Sequence, residues 1–230
     1  MRLRCRESAF WAILCVMAPC VVQAQAPAPS SSSKHTKSSS ARLAPDIDSG
    51  SVVNGMYRNR ALGLSYKVPA GWVLRTEEMN AREEPEPNAS EEKPSSQGAQ
   101  KNTEDSRGRV LLAAFSRPPE ARGDDVNASI VIAAEPVAAY PGLTEAVQYV
   151  GPLKEVAKAQ GFEADEDPYE VAIGQKTLVQ VDFHKNVGSR VMRQSTLIFL
   201  ARGYAVSITL IGGTEDEVGD LVDGISFSEK

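Results

Sequence analysis

Cysteine and histidine are scarce in this sequence of 230 residues, which contains three cysteines and two histidines. The cysteines, Cys5, Cys15 and Cys20, all lie close to the N-terminus. The remainder of the chain therefore has no disulfide, no thiolate nucleophile and no cysteine-based metal site. If that remainder leaves the cytoplasm, an ordinary hydrophobic core has to stabilise it.

Long apolar runs are also rare: a single one extends from Ala9 to Val22, and three arginines precede it. Positive charge followed by an apolar run is the order found in a secretory signal peptide. The run is shorter than the roughly 20 residues of a membrane-spanning helix, and Pro19 interrupts it. We predict a signal peptide over residues 1–24, cleaved between Ala24 and Gln25, and no membrane insertion of the mature chain.

Cys20 allows an alternative, because a bacterial lipoprotein is cleaved before a cysteine that becomes acylated. A lipoprotein signal has a glycine or alanine immediately before that cysteine, whereas Pro19 occupies this position here. We therefore favour a released periplasmic or secreted protein over lipid anchoring through Cys20. In that case Cys20 is one more apolar residue of the signal peptide.

Basic residues are also fewer than acidic ones. The chain has 25 lysines and arginines against 30 aspartates and glutamates, which gives a formal net charge of −5. Removal of the three arginines of the signal peptide makes the mature chain more negative. Nucleic-acid binding requires a basic surface, so this class of partner is excluded.

Large apolar residues are almost absent between residues 25 and 51, where alanine, proline, serine and lysine predominate. Such a segment cannot bury enough surface to offset its ordering entropy, so we predict a disordered linker. A single globular domain is predicted over residues 52–230. Residues 76–108 interrupt it with glutamates, prolines and a glycine, and we predict a polar, disordered surface insertion there.

Apolar runs and alternating patterns predict strands in the rest of the domain. The last three long strands are joined by short links at 186–188 and 201–203, which makes them antiparallel neighbours. With helices between strands, the domain is predicted to be α+β, a central antiparallel β-sheet with helices packed on its faces. The predicted strands are a short one near Tyr57, then Leu64–Val68, Arg109–Phe115, Ala128–Val137, Lys176–His184, Arg190–Leu200, Tyr204–Ile211 and Ile225–Phe227.

Helix boundaries are marked by capping residues. A helical stretch is predicted from Thr144, and Pro152 predicts a second helix because proline suits a first helical position. Gly161 is predicted to end that helix in a left-handed conformation. Thr214 with Glu217 forms the capping-box pattern of a last helix.

Four short segments of the domain share their order with a known family. They are residues 57–59, 63–72, 203–209 and 225–227, and together they resemble the PsbP-like family over about residues 54–228. The resemblance implies an α/β/α sandwich around a central antiparallel sheet. It also implies a non-catalytic role in binding proteins, as in the photosystem accessory subunits. No metal ligand of the family matches a residue here, so the resemblance implies no site.

Candidate catalytic residues are few. His35 lies in the predicted linker, which leaves His184 as the imidazole of the domain. On a strand, His184 shares a face with Asp182 and Gln180, a pattern that could form a weak metal site or an acid–base pair. Neither a nucleophile elbow nor a zinc-binding helix motif accompanies it. We predict a solvent-facing strand end, with no catalytic residue, no cofactor and no metal.

Two loops could bind ions. The acidic run of Glu163, Asp165, Glu166 and Asp167 offers oxygen ligands for calcium but lacks the glycine and the distal glutamate of an EF-hand, so we predict a solvated loop. The amides of 212–213 precede the last helix, where an anion could bind. Acidic residues in the first turn of that helix already supply negative charge there.

Two further motifs have ordinary explanations. Glycosylation tripeptides begin at Asn88 and Asn127, and they matter only if the source adds N-glycans during export. Tyr57, Tyr66 and Trp72 could line a ligand groove, but aromatic residues at alternate strand positions are typical of a core.

Together these patterns favour an exported, non-catalytic accessory domain of the cell envelope that binds a protein partner. Two alternatives stay open. The first is an extracytoplasmic hydrolase that uses carboxylates, and the second is a structural component of the envelope.

Overall fold

A computed structural model of the chain describes residues 47–83, 108–121, 123 and 125–228. The predicted signal peptide, its cleavage site, Cys20, most of the linker and most of the insertion lie outside these residues. The strands are β1 (Ser51–Val53), β2 (Met56–Asn59), β3 (Leu64–Lys67), β4 (Val73–Leu74), β5 (Arg109–Phe115), β6 (Ser129–Pro136), β7 (Glu163–Ala164), β8 (Tyr169–Ile173), β9 (Lys176–Val187), β10 (Arg190–Ala201), β11 (Tyr204–Gly212) and β12 (Ile225–Phe227). The helices are α1 (Thr76–Glu83), α2 (Val150–Ala159) and α3 (Glu215–Asp223), and two 3-10 turns span Val137–Ala139 and Ala146–Tyr149.

The strands form two antiparallel sheets. The larger sheet has the order β4-β5-β6-β11-β10-β9-β7, with β8 also paired to β9, and the smaller sheet has the order β1-β2-β3-β12. In the middle of the larger sheet, Ile208 of β11 pairs with Leu197 of β10 and with Ile132 of β6. The predicted α+β class and the antiparallel order of the last three long strands are confirmed.

The larger sheet is covered on both faces. One face packs against the smaller sheet and α3, where Tyr66 and Leu221 join the core of Ile132 and Ile208. The other face packs against α2 and the 3-10 turns, with Phe183 in that core. One outer layer is therefore a small sheet with a helix beside it, an arrangement that the short strands near residue 60 did not reveal.

The insertion predicted over residues 76–108 begins with a helix, so the expectation of irregular chain was wrong for residues 76–83. Asn80 Nδ2 donates to the carbonyl of Val110, and the Val110 N–H donates back to Asn80 Oδ1, both at 2.9 Å. The Ala113 N–H donates to Thr76 Oγ1 at 2.9 Å. The helix α1 thus satisfies backbone groups of β5 that the two-residue β4 leaves open. Hydrogen bonds, rather than apolar contacts, hold α1 on β5. This is why the sequence of α1 shows no apolar stripe.

The folded chain also begins earlier than predicted. Ile47 is 2% exposed. Asn59 Nδ2 donates to the carbonyl of Asp48, and the Tyr57 hydroxyl donates to the carbonyl of Ser49 at 3.0 Å. One apolar side chain and these hydrogen bonds fix a stretch whose composition alone predicts disorder.

The helix ends agree with the capping residues in the sequence, except that α2 begins two residues earlier than predicted. Thr214 Oγ1 accepts from the Glu217 N–H at 3.1 Å at the start of α3. Gly161, with φ of 83°, follows the end of α2, and the next residue, Phe162, is buried. The helix α2 begins two residues before Pro152, which therefore lies in its first turn, where a missing N–H costs no intrahelical bond.

Among the described residues, no helix has the length and apolarity to cross a membrane.

Candidate ligand-binding cleft

An uncharged cleft lies between the two 3-10 turns and the start of α2, and we call it the aromatic cleft. Its volume is about 390 Å³, within the range of pockets that bind small ligands or single peptide anchors. One alanine and one glycine complete its walls, whose larger members are Tyr140, Pro141, Leu143, Gln148, Tyr149 and Pro152. Two tyrosines and two prolines therefore give the cleft ring-bearing walls.

Local hydrogen bonds fix the chain around the aromatic cleft. The Leu143 N–H donates to the carbonyl of Tyr140 at 3.0 Å, which closes the first bend. Gln148 Oε1 accepts from the N–H groups of Thr144 and Glu145 at 2.8 and 3.0 Å. This is a capping box at the start of the second 3-10 turn. It uses the amide oxygen of Gln148 and leaves the amide nitrogen to donate elsewhere.

One carboxylate anchors the pair of tyrosine rings. The Tyr140 hydroxyl donates to Glu135 Oε2. The two rings meet edge to face, with centroids 5.1 Å apart and an interplanar angle of 88°. Such a pair adds packing energy beyond its buried area. The rings are therefore fixed before any ligand arrives.

The electrostatics keep both hydroxyls protonated. Burial, with a contribution from Glu135, raises the pKa of Tyr140 to about 12. Burial also raises the pKa of Tyr149, even further above its ordinary range. The Tyr140 hydroxyl proton is used in its bond to Glu135. Because Tyr149 is 1% exposed, the ring carbons that the aromatic cleft offers to a ligand are those of the partly exposed Tyr140.

Apolar surface continues from the aromatic cleft along one flank of α2. Pro152 and Val156 are four residues apart, so they lie on the same side of the helix. Val156 is 55% exposed, and Val147 in the preceding 3-10 turn is 45% exposed. Ala159, one turn after Val156, is exposed as well. The cleft is thus bordered by apolar side chains that are free to contact another molecule.

The structure brings His184 and the acidic run together at the edge of the larger sheet. His184 pairs with Glu163 in the β9–β7 register. Its Nδ1 contacts Asp165 Oδ1, and its Nε2 lies 3.9 Å from Glu163 Oε2. The two carboxylates therefore face different ring nitrogens rather than converging on one point. No cluster of three or more metal-ligating side chains is present in the part of the chain that the structure describes.

Asp182 shares the strand face of His184, as predicted, but it has partners of its own. It accepts hydrogen bonds from the Tyr169 hydroxyl at 2.6 Å, from Gln180 Nε2 at 3.0 Å and from Ser195 Oγ. Ser195 is 1% exposed. These bonds link β8, β9 and β10, so we assign the cluster a role in holding the sheet edge.

Replacing His184 with alanine is expected to change the free energy of unfolding by less than about 0.5 kcal/mol. Its contacts with Glu163 and Asp165 are partly exposed, and exposed ion pairs contribute little. Urea denaturation near neutral pH measures the difference. A loss above about 1.5 kcal/mol would give these contacts a larger role than surface pairs have.

The amides before the last helix already have an acceptor. The Gly213 N–H donates to Glu217 Oε2 at 2.7 Å, so the glutamate of α3 takes the place of an external anion. A shallow cleft of about 480 Å³ lies beside this point. Arg190, the one basic side chain among the described residues that line it, forms an ion pair with Asp125 at 3.1 Å. The geometry agrees with the expectation that phosphate is not bound here.

The remaining motifs belong to the framework. Asn127 Oδ1 accepts from Ser116 Oγ at 2.9 Å, and its Nδ2 donates to the carbonyl of Arg117 at 3.0 Å, so this amide holds the link between β5 and β6. Asn88 lies outside the described residues. Tyr57 and Tyr66 are 1% and 0% exposed, which confirms the core interpretation for both. Trp72 is partly buried against the same core.

No family model matches the chain, and no curated protein matches it. Among solved structures, the fold is similar to PsbP (CyanoP) from Synechocystis sp. PCC 6803, at 17% identity and a TM-score of 0.41 over 75% of this chain and 91% of that one. It is also similar to LpqN of Mycobacterium tuberculosis, which is involved in cell envelope biogenesis, at 14% identity and a TM-score of 0.34 over 72% and 83% of the two chains. The Saccharomyces cerevisiae Ran-binding protein Mog1p is similar at 12% identity and a TM-score of 0.38 over 72% and 90%. A PsbP protein is thus among the solved structures to which the chain is similar, and at these identities and TM-scores the similarity carries no conclusion about function.

Proposed function

We propose that the chain is exported and that its mature form is a non-catalytic domain that binds a protein partner through the aromatic cleft. The observation that carries the proposal is the partly exposed ring of Tyr140, which is held by Glu135 and by the edge of the buried Tyr149 ring. A ring fixed in this way at an open cleft prepares the surface for binding, because little side-chain freedom is lost when a ligand arrives. Export rests on the N-terminal sequence.

The surroundings of the aromatic cleft have the composition of a protein interface. Such interfaces combine an apolar, often tyrosine-containing centre with a polar rim. Here Val147 and Val156 extend the apolar centre. Lys158 and Glu155, on the outer side of α2, are exposed and supply polar groups around it.

The carboxylate-based hydrolase receives less support. Asp182 and Glu135, two carboxylates that are only partly exposed, each accept a hydrogen bond from a tyrosine hydroxyl. Carboxylates with these partners position neighbouring side chains. A general acid or base, in contrast, must reach its substrate.

Site-specific photo-crosslinking in the producing cell tests the proposal. A photoreactive residue at Val156, beside the cleft, is expected to give one discrete protein adduct. The matched control is the same residue at Val53, a valine that is 59% exposed on β1. Ala139→Arg, which places a charged side chain in the cleft wall, is expected to abolish the adduct.

The yields of adduct at Val156 and at Val53 distinguish specific binding at the cleft from general surface contact. Adducts of equal yield from Val156 and Val53 would indicate general surface contact and contradict the proposal. So would an adduct at Val156 that survives Ala139→Arg. Ala172→Arg, an exposed alanine on β8, is the control for added charge.

A further inference from the structure

We infer that the partner presents an extended, uncharged, proline-containing segment to the aromatic cleft, an inference that rests on the proposed function. The first reason is charge. Aspartate, glutamate, lysine and arginine make up 24% of the chain, yet none of those within the described residues lines the cleft. A charged ligand group would lose its hydration there without gaining a charged partner.

The second reason is the hydrogen-bonding character of the aromatic cleft. Gln148 Oε1 is occupied by two backbone N–H groups, the hydroxyl proton of Tyr140 is used in its bond to Glu135, and Tyr149 is 1% exposed. The side chains of the wall therefore offer a donor, Gln148 Nε2, and no open carboxylate or amide acceptor. An ordinary peptide brings N–H groups that need acceptors. A proline residue has a carbonyl but no N–H, so it matches this surface.

The third reason is the shape of the walls. The partly exposed ring of Tyr140 is held edge to face by Tyr149, which is itself 1% exposed, and the exposed Pro141 and Pro152 stand beside it. Aromatic-lined grooves bind proline-rich segments, since the polyproline II conformation is already extended and loses little entropy on binding. A rigid ring in the cleft and a rigid segment in the partner both reduce the entropic cost of association.

A neutral, end-blocked peptide of alternating alanine and proline is the probe for this inference. We expect it to bind the mature chain saturably, with nuclear magnetic resonance shifts at the Gln148 side-chain amide and the backbone of 140–143. A peptide of alternating alanine and serine serves as the matched ligand. It is expected to bind at least about tenfold more weakly, because its N–H groups lose hydration without finding acceptors.

Gln148→Glu tests the donor separately from the fold. Glutamate keeps the oxygen that caps the 3-10 turn but removes the amide nitrogen, so we expect an intact domain and about tenfold weaker binding of the alanine–proline peptide. Ala139→Arg is expected to abolish binding, and Ala172→Arg to leave it unchanged.

The outcomes separate the inference from the proposed function. Equal binding of the two peptides, or no binding of either while the Val156 adduct persists, would overturn the proline inference and leave protein binding intact. Loss of the adduct as well would overturn both. Concentration-dependent self-association that Ala139→Arg removes would identify a second copy of this chain as the occupant and would also overturn the inference.

Discussion

Replacing Asn59 with alanine is expected to lower the free energy of unfolding by about 2–4 kcal/mol. The side chain is 1% exposed. Its Oδ1 accepts from the Leu62 N–H at 3.0 Å, and its Nδ2 donates to the carbonyl of Asp48. Alanine leaves two backbone groups without this partner. They are the Leu62 N–H, in the turn after β2, and the Asp48 carbonyl, in the segment that precedes β1. Chemical denaturation near neutral pH measures the loss.

The matched control for this substitution is Asn186→Ala. Asn186 is exposed near the end of β9, where a substitution is expected to change stability by no more than about 0.5 kcal/mol. A loss at Asn59 no larger than that at Asn186 would show that the buried amide bonds contribute nothing net.

Stability is expected to fall steeply between about pH 10 and pH 12. Burial raises the pKa of Tyr57 and of Tyr66 to about 12, whereas tyrosine in an unfolded chain ionises near pH 10. In this interval the folded chain retains protons that the unfolded chain releases, so the free energy of unfolding decreases as the pH rises. Each shift corresponds to about 2.7 kcal/mol, and the two tyrosines together to about 5 kcal/mol. Urea denaturation at a series of pH values above about 9 follows this loss.

Tyr66→Phe provides the control for the alkaline loss. The Tyr66 hydroxyl has no hydrogen-bond partner within the described residues, so its removal is expected to raise stability at neutral pH by about 1 kcal/mol and to make the alkaline fall shallower. Tyr57→Phe removes the bond to the Ser49 carbonyl and is expected to lower neutral-pH stability by about 1 kcal/mol. An alkaline fall that neither variant changes would contradict the assignment.

Local pattern was sufficient to predict the long strands. The apolar runs that became β5, β6 and β11 are mostly buried on both faces, so continuous hydrophobicity identified them within one or two residues. The cap at Gly161 also follows from a nearest-neighbour pattern, since a glycine and a following apolar residue suffice to end a helix in this way. These elements depend on residues close together in the chain.

The elements that the sequence did not reveal depend on distant partners. The helix α1 is held by bonds from Thr76 and Asn80 to a strand some thirty residues later, and no apolar stripe accompanies it. The short β7 and β8 are strands because β9 offers them an edge. Such pairings carry no periodic signal over so few residues.

The aromatic cleft was missed for a similar reason. Its residues lie in a connection that has no strand or helix pattern, and its organising group, Glu135, belongs to a strand. Glu135 looks like a polar end to an apolar run, and only the fold places it against Tyr140 and Tyr149. His184 was predicted to be a solvent-facing strand end, whereas β9 continues to Val187 and the His184 side chain is 29% exposed. Its contact with Asp165 depends on the β7–β9 pairing, which the local sequence does not show.

The last strand of the chain completes the smaller sheet by pairing with one of the first. Ile225 of β12 pairs with Tyr66 of β3, and Ser228 reaches Gly63 across a separation of 165 residues. Contacts between such distant residues form late, because the intervening chain must first be brought together. On the proposed export route, a chain that crosses the membrane with its N-terminus first cannot close this sheet until the residues of β12 emerge. On the same proposed route, late closure of the sheet would slow folding before transport and leave the chain unfolded for longer.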